Sequence, residues 1–174
     1  ILLLLFSAVS WAGSQQSNDI KLDPQQLAYF AKQVEKYAAK QGALAFILAR
    51  VGQAETELPK GVVFTHSAIA IYSEITLDDG NKVKGYAIYN LYQDDKDKNL
   101  SHLVTDYPLD FFWGVSSLKA GIMIPNRELQ VRLVQAITSA DNQRLHNPKY
   151  SLLSNPHTSQ FQNCNEHTLD IINS

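Results

Sequence analysis

Phe64-Thr65-His66-Ser67-Ala68-Ile69-Ala70-Ile71-Tyr72 is the stretch on which the reading of this chain turns. β-Branched and aromatic residues dominate residues 62–72, the composition of a strand. Asp78-Asp79-Gly80-Asn81 follows as a turn signal. Residues 84–92, which include Tyr86-Ala87-Ile88-Tyr89-Asn90, read as a second strand, so the two should pair as an antiparallel hairpin. Side chains alternate along a strand with period 2. His66 is therefore expected to share a face with Phe64, Ala68 and Ala70. Residues 86, 88 and 90 share a face of the partner strand, which places Asn90 on the side of His66.

Working outward, Asp23-Pro24-Gln25-Gln26 is a helix start: Asp23 caps, and Pro24 suits the first helical position. Leu27, Phe30, Ala31, Val34, Tyr37 and Ala38 recur at helical spacing, and Gly42 fits the stop, which predicts an amphipathic helix over 24–41. Residues 43–49 are a short apolar run, either a strand or a buried helical turn. A further strand is expected over 118–124 and a helix over 127–139, with Leu129, Leu133, Val134 and Ile137 on its buried face. Residues 94–99 read as a charged, solvated loop. Residues 141–162, rich in Asn, Pro, Ser and His, read as irregular. Leu169 and Ile172 mark a short helix that opens near Cys164. The order points to an α+β fold.

The chain has 174 residues, which suffices for one domain with a substantial core and is short for two. A formal charge of −2 argues against a general nucleic-acid binder, which carries a basic face. Ile1 to Phe6 is an unbroken apolar run, followed by Ser10-Trp11-Ala12 and then polar residues. This reads as the end of a secretory signal peptide cleaved after Ala12. Residues 1–12 are then its remnant, 13–22 a flexible lead-in and 23–174 the domain. The run is well short of the roughly 20 residues a membrane span needs, so no span is expected. Export implies a periplasmic or secreted protein.

Cys164 is the sharpest chemical candidate. A position at the start of a helix favours a thiolate through backbone N–H groups and the helix dipole. The alternative is an inert thiol packed as a small hydrophobe. A single cysteine excludes an internal disulfide and a cysteine-based zinc site. No His-Glu-x-x-His run occurs, so no metal is expected. His66 is the best base, because a strand fixes its ring; a structural histidine at the sheet edge is its alternative. Asn90 is the candidate for orienting that ring, or else a strand-end turn residue. His102 and His146 lie in polar stretches and are expected at the surface. His157 and His167 are weaker partners for Cys164, the first by proximity in the preceding loop. Arg50 either binds a carboxylate or phosphate or anchors a loop by bonding backbone carbonyls.

Four stretches together resemble the DUF2145 family of uncharacterised bacterial proteins. They are Phe46-Ile47-Leu48-Ala49-Arg50-Val51-Gly52-Gln53, Phe64-Thr65-His66-Ser67-Ala68-Ile69-Ala70, Pro148-Lys149-Tyr150-Ser151-Leu152-Leu153-Ser154-Asn155-Pro156 and Phe161-Gln162-Asn163-Cys164-Asn165-Glu166. That family in turn resembles the circularly permuted NlpC/P60, or papain-like, group, in which a His strand comes first and a nucleophilic Cys opens a late helix. The resemblance implies a permuted papain-like domain: an antiparallel sheet packed with helices, with the nucleophile helix near the C-terminus. It also implies a Cys164–His66–Asn90 site. Relatives in the wider group act as peptidases, amidases, acyltransferases or thioesterases. The expected activity is therefore a thiol hydrolase or acyltransferase acting on an amide or ester bond of a peptide, lipid or other acyl substrate, without a cofactor. The rival is a non-catalytic periplasmic binding or scaffolding module that keeps the fold. Asn163 and Asn165, which flank the thiol, are expected either to line an oxyanion site or to be structural.

Overall fold

The computed structural model describes residues 21–174. The expected signal-peptide remnant and all but the last two residues of the expected lead-in lie outside the described residues. The first helix, α1 (Pro24–Lys40), ends one residue before the expected limit. Asp23 caps it by accepting a hydrogen bond from the Gln26 N–H at 2.9 Å. Gly42 follows at φ 65°, a left-handed conformation that costs glycine least.

The apolar run after α1 resolves as a strand, β1 (Ala45–Arg50), rather than a helical turn. β2 (His66–Thr76) and β3 (Lys82–Gln93) form the expected antiparallel hairpin. The turn between them has Gly80 at φ 82° and an Asp79 carboxylate that accepts from the Asn81 backbone N–H. β4 (Ser101–Asp106), α2 (Pro108–Phe112), β5 (Ala120–Met123), α3 (Arg127–Thr138), α4 (Asp141–Arg144) and α5 (Cys164–Asn173) complete the order. The five strands form one sheet in the order β4-β3-β2-β1-β5, antiparallel throughout.

Helices cover both faces. Leu27, Ala31, Val34 and Ala38 of α1, with Phe111 and Phe112 of α2, pack on Phe46, Leu48, Ala68, Ala70, Tyr86 and Ile88. Leu133, Ala136 and Ile137 of α3, with Ile171 of α5, pack on Ala45, Ile69 and Ile71. The alternating strand residues thus feed two separate cores, the expected result for strands buried on both sides. The protein is a mixed α+β fold built on an antiparallel sheet.

Two expectations need correction, and two elements were not expected. Residues 62–65 are not strand: Val62, Val63 and Phe64 are exposed, and of this segment only Thr65 donates to a neighbouring strand end, Arg50 O at 3.0 Å. Phe64 therefore escapes the alternation and does not share the His66 face. A Cβ on Gly121 would lie 2.9 Å from its ring and 3.3 Å from the Ala49 Cβ, so Phe64 covers the opposite side. β4 and α2 were not anticipated, because Ser101–Asp106 is short and half polar and α2 has five residues. The segment expected to be irregular contains α4 and is held by bridges between Leu100 and Lys149 and between Tyr150 and Gln162.

Candidate active site

The sheet opens at one end. The β2–β3 ladder runs from Thr76↔Lys82 only as far as Ile69↔Tyr89, so the first residues of β2 and the last residues of β3 are no longer paired with each other. β3 continues instead against β4, through Gln93↔Ser101. Side chains bridge the opened end. His66 Nε2 lies 2.9 Å from Asn90 Oδ1. The His66 ring stacks on Tyr92, with centroids 4.9 Å apart and planes inclined by 18°, and tilts against Phe111 at 5.6 Å. His66 and Asn90 do share a face, as the alternation required.

The amide of Asn90 is oriented by what surrounds it. Its Nδ2 donates to Ile88 O at 3.0 Å and to Asp106 Oδ2 at 3.2 Å. Its Oδ1 is therefore the atom turned to His66, and Nε2 must carry the imidazole proton. The other ring nitrogen, Nδ1, then holds a lone pair. It is buried and has no hydrogen-bond partner among the described residues. Burial, followed by the Arg50 charge, drives the His66 pKa down to about 3 against the favourable bond from Asn90. The ring rests neutral at pH 7, and a standing imidazolium at this position runs against its surroundings.

Arg50 makes a bond to a backbone carbonyl of the kind expected for its anchoring role. Its guanidinium donates to Phe111 O and lies over the rings of Tyr92, at 5.4 Å, and Phe111, at 5.1 Å. It ties β1 to α2 and places a buried charge at the site. Asp106 is close enough for the Arg50 charge to act on it, and it accepts from the Tyr92 hydroxyl at 2.6 Å as well as from Asn90. Burial raises the Asp106 pKa, while Tyr92 and Arg50 oppose the rise. The Tyr92 pKa is raised chiefly by burial, with the Arg50 charge opposing the rise and Asp106 adding to it.

Cys164 is buried and is the first residue of α5. Asn163 caps the helix: its Oδ1 accepts from the N–H groups of Asn165 and Glu166, at 3.0 and 3.1 Å, and its Nδ2 donates to Leu152 O. Two of the N–H donors expected to favour a thiolate are thus already engaged. The Asn165 side chain is engaged as well. Its Oδ1 accepts from Ser67 Oγ at 2.8 Å and lies 3.9 Å from the Cys164 sulfur. Thr168 reaches the same Ser67 hydroxyl at 3.3 Å and donates to Cys164 O at 2.9 Å. The start of α5 is therefore fastened to the residue that follows His66, at the opened end of the sheet.

The other histidines lie elsewhere. His157 is exposed, and its backbone N–H is held in a turn by Asn155. It lines a 310 Å³ cavity with Glu166 and Asp170, which occupy a different side of α5 from Cys164. That cavity, rather than the Cys164 sulfur, is what the structure places it against. His167 is buried, its Nε2 is 3.0 Å from Asn142 Oδ1, and burial, with His146 second, lowers its pKa to about 4. His146, expected at the surface, is half-buried against Ser101. His102 is exposed, 3.8 Å from the Asp94 carboxylate.

Tyr92 and Asp106 escaped the sequence reading. Period 2 from Asn90 would have found Tyr92. Asp106 becomes visible only once Ser101–Asp106 is recognised as a strand whose Val104 pairs with Asn90. Among the described residues, no group of three His, Cys, Asp or Glu side chains is arranged to hold a metal, and no helix is long and apolar enough to cross a membrane.

Comparison with curated proteins and with solved structures gives no match. One family described as an uncharacterised protein conserved in bacteria (DUF2145) matches residues 37–174, from the last turn of α1 to the end of α5, and spans every residue of the site. The chain belongs to the DUF2145 family of conserved bacterial proteins.

Proposed function

We propose that the protein is a thiol hydrolase or acyltransferase in which Cys164 attacks an amide or ester carbonyl and His66 moves the proton. The observation that carries this reading is the state of His66. One nitrogen is fixed as a donor to Asn90, and the other is a buried lone pair without a hydrogen-bond partner among the described residues. His167 also has a buried Nδ1 without a hydrogen-bond partner among the described residues; His66 is set apart by its neighbour Ser67, whose hydroxyl is bonded to Asn165 beside Cys164. The neutral ring can accept a proton, but a pKa of about 3 makes it a weak base, so its role as general base requires that bound substrate or the Cys164 thiolate raise that pKa in the complex. As sulfur bonds to the carbonyl carbon, the C=O π pair moves to oxygen and the thiol proton passes to Nδ1. Collapse of the tetrahedral species expels the amine or alcohol, which takes that proton, and leaves an S-acyl enzyme. Water or an acceptor nucleophile then releases the acyl group. Asn90 holds the ring in the required tautomer throughout.

An early His strand and a terminal Cys helix follow the order of the permuted NlpC/P60 group, which supports a permuted papain-like arrangement for this sheet. The apolar stretch before Ala12 supports action in the periplasm or outside the cell. A binding or scaffolding module without turnover is the second reading. The low exposure of Cys164, 4 %, favours it.

Incubation with p-nitrophenyl esters and with aminoacyl p-nitroanilides, followed by peptide mass mapping, separates the two. The expected result is an acyl adduct on Cys164 that disappears in Cys164→Ser, with acylation slowed by roughly a hundredfold or more in His66→Ala. Absence of any adduct at Cys164, or acylation indifferent to the loss of His66, would favour the binding module.

A further inference from the structure

We infer that Asp106 is the positioning residue of this site, fixing both the proton-bearing nitrogen and the ring plane of His66 through two separate arms. The inference rests on the proposed general-base role of His66. The first arm runs through Asn90. A carboxamide can present either oxygen or nitrogen to its neighbour, and only its own partners decide which. Asp106 Oδ2 accepts from Asn90 Nδ2 at 3.2 Å, on the side away from His66. Turning the amide over would set its oxygen against that carboxylate oxygen and against Ile88 O. Oδ1 is therefore held toward His66, Nε2 keeps the proton and Nδ1 keeps the lone pair.

The second arm runs through Tyr92. The same carboxylate oxygen accepts from the Tyr92 hydroxyl at 2.6 Å, and the Tyr92 ring is the surface on which His66 stacks at 4.9 Å. One acceptor atom thus ties down the two side chains that bear on the imidazole. Asp106 and Tyr92 are buried, so water does not readily stand in for either partner. Asp106 lies at the end of β4, where Ile88↔Asp106 is the last register pair with β3, and this sets the carboxylate beside the opened end of the sheet.

The test reads the tautomer directly, in the unreacted protein. Leucine alone at 106 would strand the Tyr92 hydroxyl, so the working variant is Tyr92→Phe with Asp106→Leu. It removes the Tyr92 hydroxyl together with its acceptor, so that group is not stranded; the Arg50 charge and the Asn90 amide still lose Asp106. Asp106→Asn is the conservative control, because its amide oxygen can accept from both arms. Ring ¹⁵N shifts of labelled histidine at pH 7, with His66 assigned through His66→Gln, report which nitrogen is protonated. The expected result is an Nε2–H ring in the parent and in Asp106→Asn. In the double variant the tautomer ratio should fall about tenfold toward Nδ1–H, the effect of losing one charge-assisted bond. An unchanged Nε2–H ring in the double variant overturns the inference. If the double variant fails to fold, Asp106→Ser, too short to span both contacts, is read the same way, with the same two outcomes. Neither readout needs turnover. A shifted tautomer with no acylation of Cys164 in the parent would therefore sink the proposed activity and leave the positioning role intact.

Discussion

Acid should weaken this fold through His66, and a single substitution should remove that part of the loss. The folded-state pKa is about 3, because burial and the Arg50 charge oppose the imidazolium. The unfolded value is near 6.5. Between these limits the unfolded chain binds a proton that the folded chain refuses. Stability is accordingly whole above about pH 7 and falls as pH drops through 6.5 toward 3. At pH 5 the His66 share of the loss is about 2 kcal/mol, since 1.5 pH units below the unfolded value correspond to that much at 1.36 kcal/mol per unit. His167, lowered to about 4, adds a loss of similar size and the same sign. Asp106, whose pKa is raised, acts in the opposite sense, and its contribution is common to the parent and the variant. The assay is urea unfolding at pH 5, 6 and 7, followed by tryptophan fluorescence, for the parent and for His66→Gln. Glutamine does not titrate and keeps an amide to offer Asn90. Its stability should fall by about 2 kcal/mol less than that of the parent between pH 7 and pH 5, whatever its absolute value. Parallel pH profiles for the two proteins would refute the claim that His66 rests neutral and enclosed.

Two further substitutions test the frame that carries the site. Asn163→Ala removes the cap that accepts from two N–H groups at the start of α5, and should cost about 1 kcal/mol in urea unfolding; Asn163→Asp should retain most of it. Leu133→Ala opens a cavity in the core between α3 and the sheet, where Leu133 is fully enclosed, and should cost roughly 2–5 kcal/mol and lower the thermal midpoint. Near-parent stability of either alanine variant would show that the corresponding contact is not made in solution.

What the sequence determined by itself is whatever depends on neighbours along the chain. Asp23, Pro24 and Gly42 set the limits of α1 because capping and left-handed turns are local chemistry. The turn around Gly80 and its flanking β-branched residues set the hairpin, and period 2 then put His66 and Asn90 on one face before any packing was known. Asn163-Cys164 opened a helix for the same local reason. The resemblance to DUF2145 lay within reach as well, since it rests on the order of four short stretches. Tertiary structure decided the rest. Residues 62–65 have strand composition, yet β1 ends at Arg50 and leaves most of that segment without a partner, and strand pairing needs two chains. Ser101–Asp106 has weak composition, yet the free edge of β3 recruits it. The protonation of His66 depends on burial, Arg50 and Asn90, and Tyr92 and Phe111 pack its ring; these side chains arrive from three separate elements. Burial and charge act through space over a few ångströms, and no spacing along the chain encodes which side chains will share that space.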